Sequence, residues 1–272
     1  MLIGISGTLG AGKTEVAKFL TFQGFDVLSF EGLVAPDSSE LLPALPVPPF
    51  SNADDFVEFV TVNWQSNYVI SDLSDIKLLR LLQKKPFFLH VSVDAPLQIR
   101  HQRLRPQFSL EEFVKEDDAL QFAAESRIIE INNEAHVKII NTSNSVREVY
   151  VKLTELKLLD GSRLRPTWDL YFMRLADLAA LRSNCMKRRV GCVIVRDKRV
   201  IATGYNGTAR NLRNCNEGGC PRCNHGQGSG AGLHTCLCLH AEENALLEAG
   251  RDRIYASAES RGVLYCNTCP CL

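Results

Sequence analysis

The sequence predicts an α/β protein of two domains, residues 1–160 and 161–272. Three observations carry this. A glycine-rich octet, Gly7 to Thr14, stands between an apolar run and a helical one, the strand–loop–helix order of a parallel α/β sheet. Apolar runs of strand length then alternate with helical segments up to about residue 159. Charge and cysteine are also segregated along the chain. Residues 1–160 carry 15 basic and 22 acidic residues, net −7, and no cysteine; residues 161–272 carry 16 and 9, net +7, and all 10 cysteines, Cys185 to Cys271. One domain would rarely be so divided.

Composition narrows the class. Hydrophobic residues are 45% and charged residues 23%, ordinary for a globular protein. No apolar run approaches the roughly 18 residues of a membrane span. The N-terminus has no basic region, long apolar stretch or small-residue cleavage site, so a cytoplasmic or nuclear, thiol-reducing setting is expected, with no membrane partner. The basic half suits an anionic ligand, a nucleotide or a nucleic acid.

In the first domain, Leu2–Ser6 reads as a strand and Glu15–Phe22 as a helix with Val16, Phe19 and Leu20 on one face. Between them Gly7-Thr8-Leu9-Gly10-Ala11-Gly12-Lys13-Thr14 satisfies G-x-x-x-x-G-K-[ST] in the context that motif requires. Gly7 and Gly12 let backbone N–H groups curl around phosphate, and the helix N-terminus adds positive potential. Lys13 would reach the β/γ-phosphates and Thr14 would bind Mg²⁺. Phe25–Phe30 is a second strand, and the four-proline stretch Leu41–Phe50 a loop. Tyr68–Leu73 is a strand whose Asp72 is either an acid on the Mg²⁺ side or a cap for a helix starting near Ser74. Pro86–Val93 is a buried strand with His90 a core or edge histidine. Arg100, Arg103 and Arg105 are either phosphate clamps or a solvated helix face. Val137–Thr142 and a helix to Leu159 close the domain. This order resembles small P-loop kinases of the dephospho-CoA and nucleoside-monophosphate kinase type.

The second domain opens at Arg165-Pro166 with an amphipathic helix from Trp168 to Leu181. Two strands follow, Val190–Val195 and Arg199–Gly204, joined by Arg196-Asp197-Lys198. His240-Ala241-Glu242 opens a helix to about Ala249, Val263–Cys266 is a strand, and Cys269-Pro270-Cys271-Leu272 follows. This is the spacing of the zinc-deaminase signature H-x-E…P-C-x-x-C. An imidazole and thiolates hold Zn²⁺ and leave a position for water, whose proton is then lost near neutral pH. His240 and Cys271 are the ligands offered, and Glu242 is the proton carrier. The signature needs a second cysteine at what would be position 274. The third ligand is therefore expected beyond the chain end, the domain is expected to be incomplete, and the chain as given is expected to lack turnover. Cys269 or Cys266 would be a poor substitute.

Ser183–Gly191, Gly204-Tyr205-Asn206-Gly207-Thr208 and His240–Ala245 together resemble deoxycytidylate deaminase, and the P-loop half ahead of them resembles the fungal form of that family. The resemblance implies a cytidine-deaminase-like α/β/α second domain and conversion of dCMP to dUMP and ammonia, supplying dTTP synthesis. It also implies dCTP and dTTP as effectors, a homo-oligomer when complete, with a hexamer among the options, and no nucleic-acid partner. Asn206 would touch substrate, and Tyr205 and Gly207 lie on the same nucleotide-binding loop. Ala209 stands where relatives carry proline. Cys215-x4-Cys220-x2-Cys223, then His225, His234, Cys236 and Cys238, read as metal rather than disulfide in this setting. They resemble an extra structural zinc site, for which Cys185, Cys215, Cys220, Cys223 and His234 are the candidates. Cys192 reads as core. Two other readings stay open: a deaminase acting on a flipped base in nucleic acid, which would want an aromatic-lined basic groove, and a non-catalytic nucleotide-sensing P-loop module.

Overall fold

The computed structural model describes residues 1–30, 49–105, 107–122, 127–228, 230–254 and 262–269. The chain forms two compact units, Met1–Arg165 and Pro166–Leu272.

The first unit runs β1 (Leu2–Gly7), α1 (Lys13–Phe22), β2 (Asp26–Leu28), α2 (Ala53–Val62), β3 (Tyr68–Ile70), α3 (Ile76–Leu82), β4 (Phe88–Asp94), α4 (Leu97–Leu104), α5 (Leu110–Phe122), α6 (Ile128–Asn133), β5 (Val137–Ile140) and α7 (Val146–Leu156). Its strands form one sheet in the order β2-β3-β1-β4-β5, every described pairing parallel. Successive side chains point to opposite faces, so β1 places Ile3 and Ile5 in one apolar layer and Leu2 in the other. The first layer includes α1 and α7, the second α2, α3 and α6. Burial on both faces explains the near-continuous apolar strands. The sheet confirms the α/β class. Of the four-proline stretch, only Pro49 and Phe50 lie among the described residues.

The second unit runs α8 (Trp168–Ala180), β6 (Gly191–Arg196), β7 (Arg199–Tyr205), β8 (Gly207–Thr208), α9 (Pro221–Asn224), β9 (Cys238–Leu239), α10 (Ala241–Ile254, broken at Gly250 with φ 67°) and β10 (Val263–Cys266). β10-β6-β7 is an antiparallel sheet, and β8-β9 a separate two-stranded ribbon. α8 covers one face through Phe172 and Ala176 against Val193 and Val195. α10 covers the other through Ala241, Ala245 and Ala249 against Cys192 and Ile194. The layers are thus α/β/α, and Cys192 is wholly buried core. Close approach is what Gly191 and Gly204 provide. A Cβ on Gly191 would stand 2.0 Å from the Ala176 carbonyl oxygen, and one on Gly204 2.2 Å from that of Ala241. Among the described residues, no helix is long and apolar enough to cross a membrane.

Candidate active site and thiol cluster

α10 fixes the His-x-Glu motif. The Glu243 carboxylate accepts from the His240 backbone N–H at 2.9 Å, and Asn244 N–H donates to the His240 carbonyl, so His240 caps the helix. Asn244 Nδ2 also donates to the Tyr205 carbonyl at 2.8 Å, tying the helix start to the end of β7. His240, Glu242 and Asn206 line an open cavity of about 730 Å³ together with Lys187, Arg188 and Arg222. Glu242 is half-buried, and the Cys266 thiol donates to its Oε1 at 3.4 Å. Burial first, then the Glu242 charge, raise the Cys266 thiol above its ordinary value. Cys269 is exposed in the cavity wall. Cys271 lies outside the described residues. Among the described residues, no set of three close metal donors includes His240. The described imidazole of His240 at a helix start agrees in kind with a zinc ligand, and the Glu242 carboxylate two residues on with a proton carrier beside it.

Asn206 stands in the cavity wall but its amide is already engaged. Oδ1 accepts from Val190 N–H at 2.8 Å and Ser183 Oγ at 2.7 Å, and Nδ2 donates to the Arg188 carbonyl at 2.9 Å. One Nδ2–H is left for a ligand. Tyr205 is half-buried at the end of β7. Gly207 lies against the Asn184 side chain, where a Cβ would come within 2.2 Å of Oδ1.

The remaining cysteines converge. Cys185, Cys215, Cys223 and Cys238 bring their sulfurs within 4.8 Å of one another, and so do Cys220, Cys223, Cys236 and Cys238. None is in a disulfide. Of the sequence-based candidates, Cys185, Cys215 and Cys223 lie in the first group and Cys220 and Cys223 in the second. His234 belongs to neither group; it is exposed in the 3-10 turn Leu233–Thr235, and Cys236 and Cys238 stand in the groups instead. Burial opposes ionisation of Cys220, but N–H groups of Cys223 and Leu237 and thiol hydrogen bonds outweigh it and bring the group down to about 6. Burial pushes the Cys223 and Cys238 thiols up.

In the first unit the glycine loop is held from several sides. Lys13 Nζ donates to the Gly7 carbonyl at 3.1 Å and lies 3.3 Å from Asp72 Oδ1. The helix after β3 is capped by Asp75, whose side chain accepts from Lys77 N–H, so Asp72 is not its cap. Asn141 Nδ2 donates to the Ala11 carbonyl, and Thr8 Oγ1 to Asp94 Oδ1. Neither Asn141 nor Asp94 was assigned a role from sequence; a polar residue just after an apolar strand was the available signal. Of the three arginines, Arg100 departs from both readings. Arg100 is buried and makes a bidentate pair with Asp117. Arg103 donates to the carbonyls of Gly10, Ala11 and Ser143. Arg103 and Arg105 are both exposed residues. His90 is fully buried, bonded through Nε2 to Ser6 Oγ at 2.8 Å. Burial, then nearby His136, lower it to about 4.

The second unit thus has the layers and the His-x-Glu helix of a zinc-dependent deaminase. Residues 166–272 match the family model of the cytidine and deoxycytidylate deaminase zinc-binding region. Relatives with a stated activity are similar, two of them over nearly the whole chain. A deoxycytidylate deaminase of Schizosaccharomyces pombe is 46% identical, with 99% of this chain and 84% of that protein aligned. One of Saccharomyces cerevisiae is also 46% identical, over 100% and 84%. One of Mycobacterium phage D29 is 39% identical over 39% of this chain and 82% of its own length. The chain belongs to the deoxycytidylate deaminase family.

Proposed function

We propose that this protein hydrolyses dCMP to dUMP and ammonia in its second unit, supplying dUMP for dTTP synthesis. The observation that carries the reading is the placement of Glu242 beside His240 in a cavity that Asn206 also lines, in a chain of this family. Zinc held by His240 and Cys271 would supply Lewis-acid activation of the attacking water. Glu242 moves the protons. It accepts one from the water, delivers it to ring N3, and assists departure of the 4-amino group as ammonia while the C4–N bond breaks. Cys266 steadies that carboxylate from behind. Lys187, Arg188 and Arg222 give the cavity a positive wall suited to the 5′-phosphate. The free Nδ2–H of Asn206 meets the substrate, with Tyr205 and Gly207 on the same loop.

The same reading takes dCTP and dTTP as effectors and a homo-oligomer as the working state. For the first unit it takes Mg-nucleotide binding at Gly7, Gly12, Lys13 and Thr14, supported by the Lys13–Asp72 pair beside the loop. The test is ammonia release by the full-length protein from dCMP, CMP and free cytosine. Turnover of dCMP well above the other two is expected; equal rates on all three overturn the substrate assignment.

A further inference from the structure

The stretch between β8 and β9 has almost no hydrocarbon core. It holds 3-10 turns, one four-residue helix and a two-stranded ribbon of two residues each. The cluster buried inside it consists of Cys215, Cys220 and Cys223, with Cys185, Cys236 and Cys238 packed around them and no aliphatic or aromatic residue. So small a body does not order itself on such a core without a staple, and a bound metal is one of the few available. The six sulfurs are arranged as two four-sulfur groups with two members, Cys223 and Cys238, in common.

The distances point to which staple. A tetrahedral zinc with Zn–S near 2.3 Å places its sulfurs about 3.8 Å apart. Here Cys185–Cys223 is 3.8 Å, Cys223–Cys238 3.9 Å and Cys220–Cys236 4.0 Å. The first belongs to one group, the last to the other, and the middle pair is the edge they share. One ion could take only four of the six thiols and would leave two without metal, one of them buried in either case. Backbone N–H groups already point at the sulfurs, Met186 to Cys215 and Leu237 to Cys220, both at 3.4 Å. Arg222 Nη1 stands 3.9 Å from Cys236 Sγ. Such donors offset the negative charge left when six thiolates surround two dications.

We propose that this cluster binds two zinc ions, bridged by the shared thiolates of Cys223 and Cys238, with Cys185 and Cys215 completing one ion and Cys220 and Cys236 the other. The centre uses neither His240 nor Glu242 as a donor, although Cys185, Cys223, Cys236 and Cys238 line the same cavity, and its role is to hold the segment that carries β9 into the start of α10. It does not depend on the substrate assignment.

The decisive measurement is cadmium-113 NMR of the full-length protein loaded with ¹¹³Cd. Two thiolate-shifted resonances split by coupling to each other are expected, beside any single uncoupled resonance from the His240 site, because that coupling passes only through shared sulfurs. A spectrum with no mutually coupled pair overturns the bridge. Zinc content of the His240→Ala protein is the second readout: two ions per chain are expected, and one or none overturns the proposal. Cys223→Ser should lose both ions and Cys236→Ser only one; equal losses from the two contradict the sharing. The NMR result stands on the unaltered chain should any variant fail to fold.

Discussion

In the first unit the functional loop is held by carbon packing and hydrogen bonds. Two apolar layers sandwich a five-stranded sheet, and Asn141, Asp94 and Arg103 bond directly to the glycine loop or its neighbours. In the second unit the sheet has three strands, its α10 face is lined by alanines, and the segment leading to His240 is centred on sulfur. The difference follows from what each segment can bury. Residues 2–5 and 88–93 supply long apolar strands, and burying them contributes roughly 1.5–3 kcal/mol per large side chain. Residues 209–237 offer glycines, arginines and cysteines, with Leu212 and Leu233 exposed, so their order must come from elsewhere.

The comparison breaks most sharply at the proton carrier. On the proposed mechanism, turnover in the second unit rests on the Glu242 carboxylate, whose removal should leave the packing intact. Glu242→Gln is expected to lower dCMP turnover by about 10²–10⁴-fold while zinc content and melting temperature hold. Loss of metal together with activity would make Glu242 structural.

Next in size is the buried pair of the first unit. Arg100 and Asp117 are both below 5% exposed and answer each other with two hydrogen bonds. Removing one partner strands a buried charge, at about 3–5 kcal/mol. Asp117→Ala should therefore unfold the first unit at markedly lower denaturant, and Arg100→Ala likewise. If either variant lost less than about 1 kcal/mol, water would be reaching the pair and the arginine would be free for other work.

A third test uses pH. His90 is neutral in the fold down to about 4, whereas in the unfolded chain it takes up a proton near 6.5. Below 6.5 the unfolded state binds the extra proton, so this histidine's contribution is complete at neutral pH and is lost as pH falls toward 4. The loss is at most about 3 kcal/mol. Stability of wild type and His90→Gln, measured by denaturant melts between pH 7.5 and 4.5, should converge as pH falls. A constant gap would assign the acid sensitivity to other groups.

Much of this was legible in the sequence. The octet and the His-x-Glu helix are local patterns, and their helices and strands appear where the periodicity places them, within two or three residues. What escaped depended on partners far along the chain. Arg100 reads as one of three arginines on a helix, and nothing near it announces Asp117 on the next one. His234 stood in the candidate set and Cys236 did not, because the turn of Leu233–Thr235 that leaves His234 exposed is not written in spacing. Sharing of Cys223 and Cys238 is a property of three-dimensional convergence alone.

The smallest expected effect separates two carboxylates three residues apart. Asp75 caps α3, accepting from Lys77 N–H at 2.7 Å, whereas Asp72 lies half-exposed 3.3 Å from Lys13. Loss of an N-cap costs about 1 kcal/mol and touches no ligand, so Asp75→Ala should lower stability by that amount and leave nucleotide affinity alone. Asp72→Ala should do the reverse. An exposed ion pair contributes at most about 1 kcal/mol, so stability barely changes, but the carboxylate paired with Lys13 of the loop is gone. Calorimetric titration of both variants with Mg-ATP and Mg-dCTP, against Lys13→Ala as the reference for a disabled loop, reads the difference directly. Asp72→Ala should weaken binding toward the Lys13→Ala value while Asp75→Ala matches wild type. Should all four proteins bind equally weakly, the glycine loop would be a scaffold, and the first unit would serve the second without reading any nucleotide.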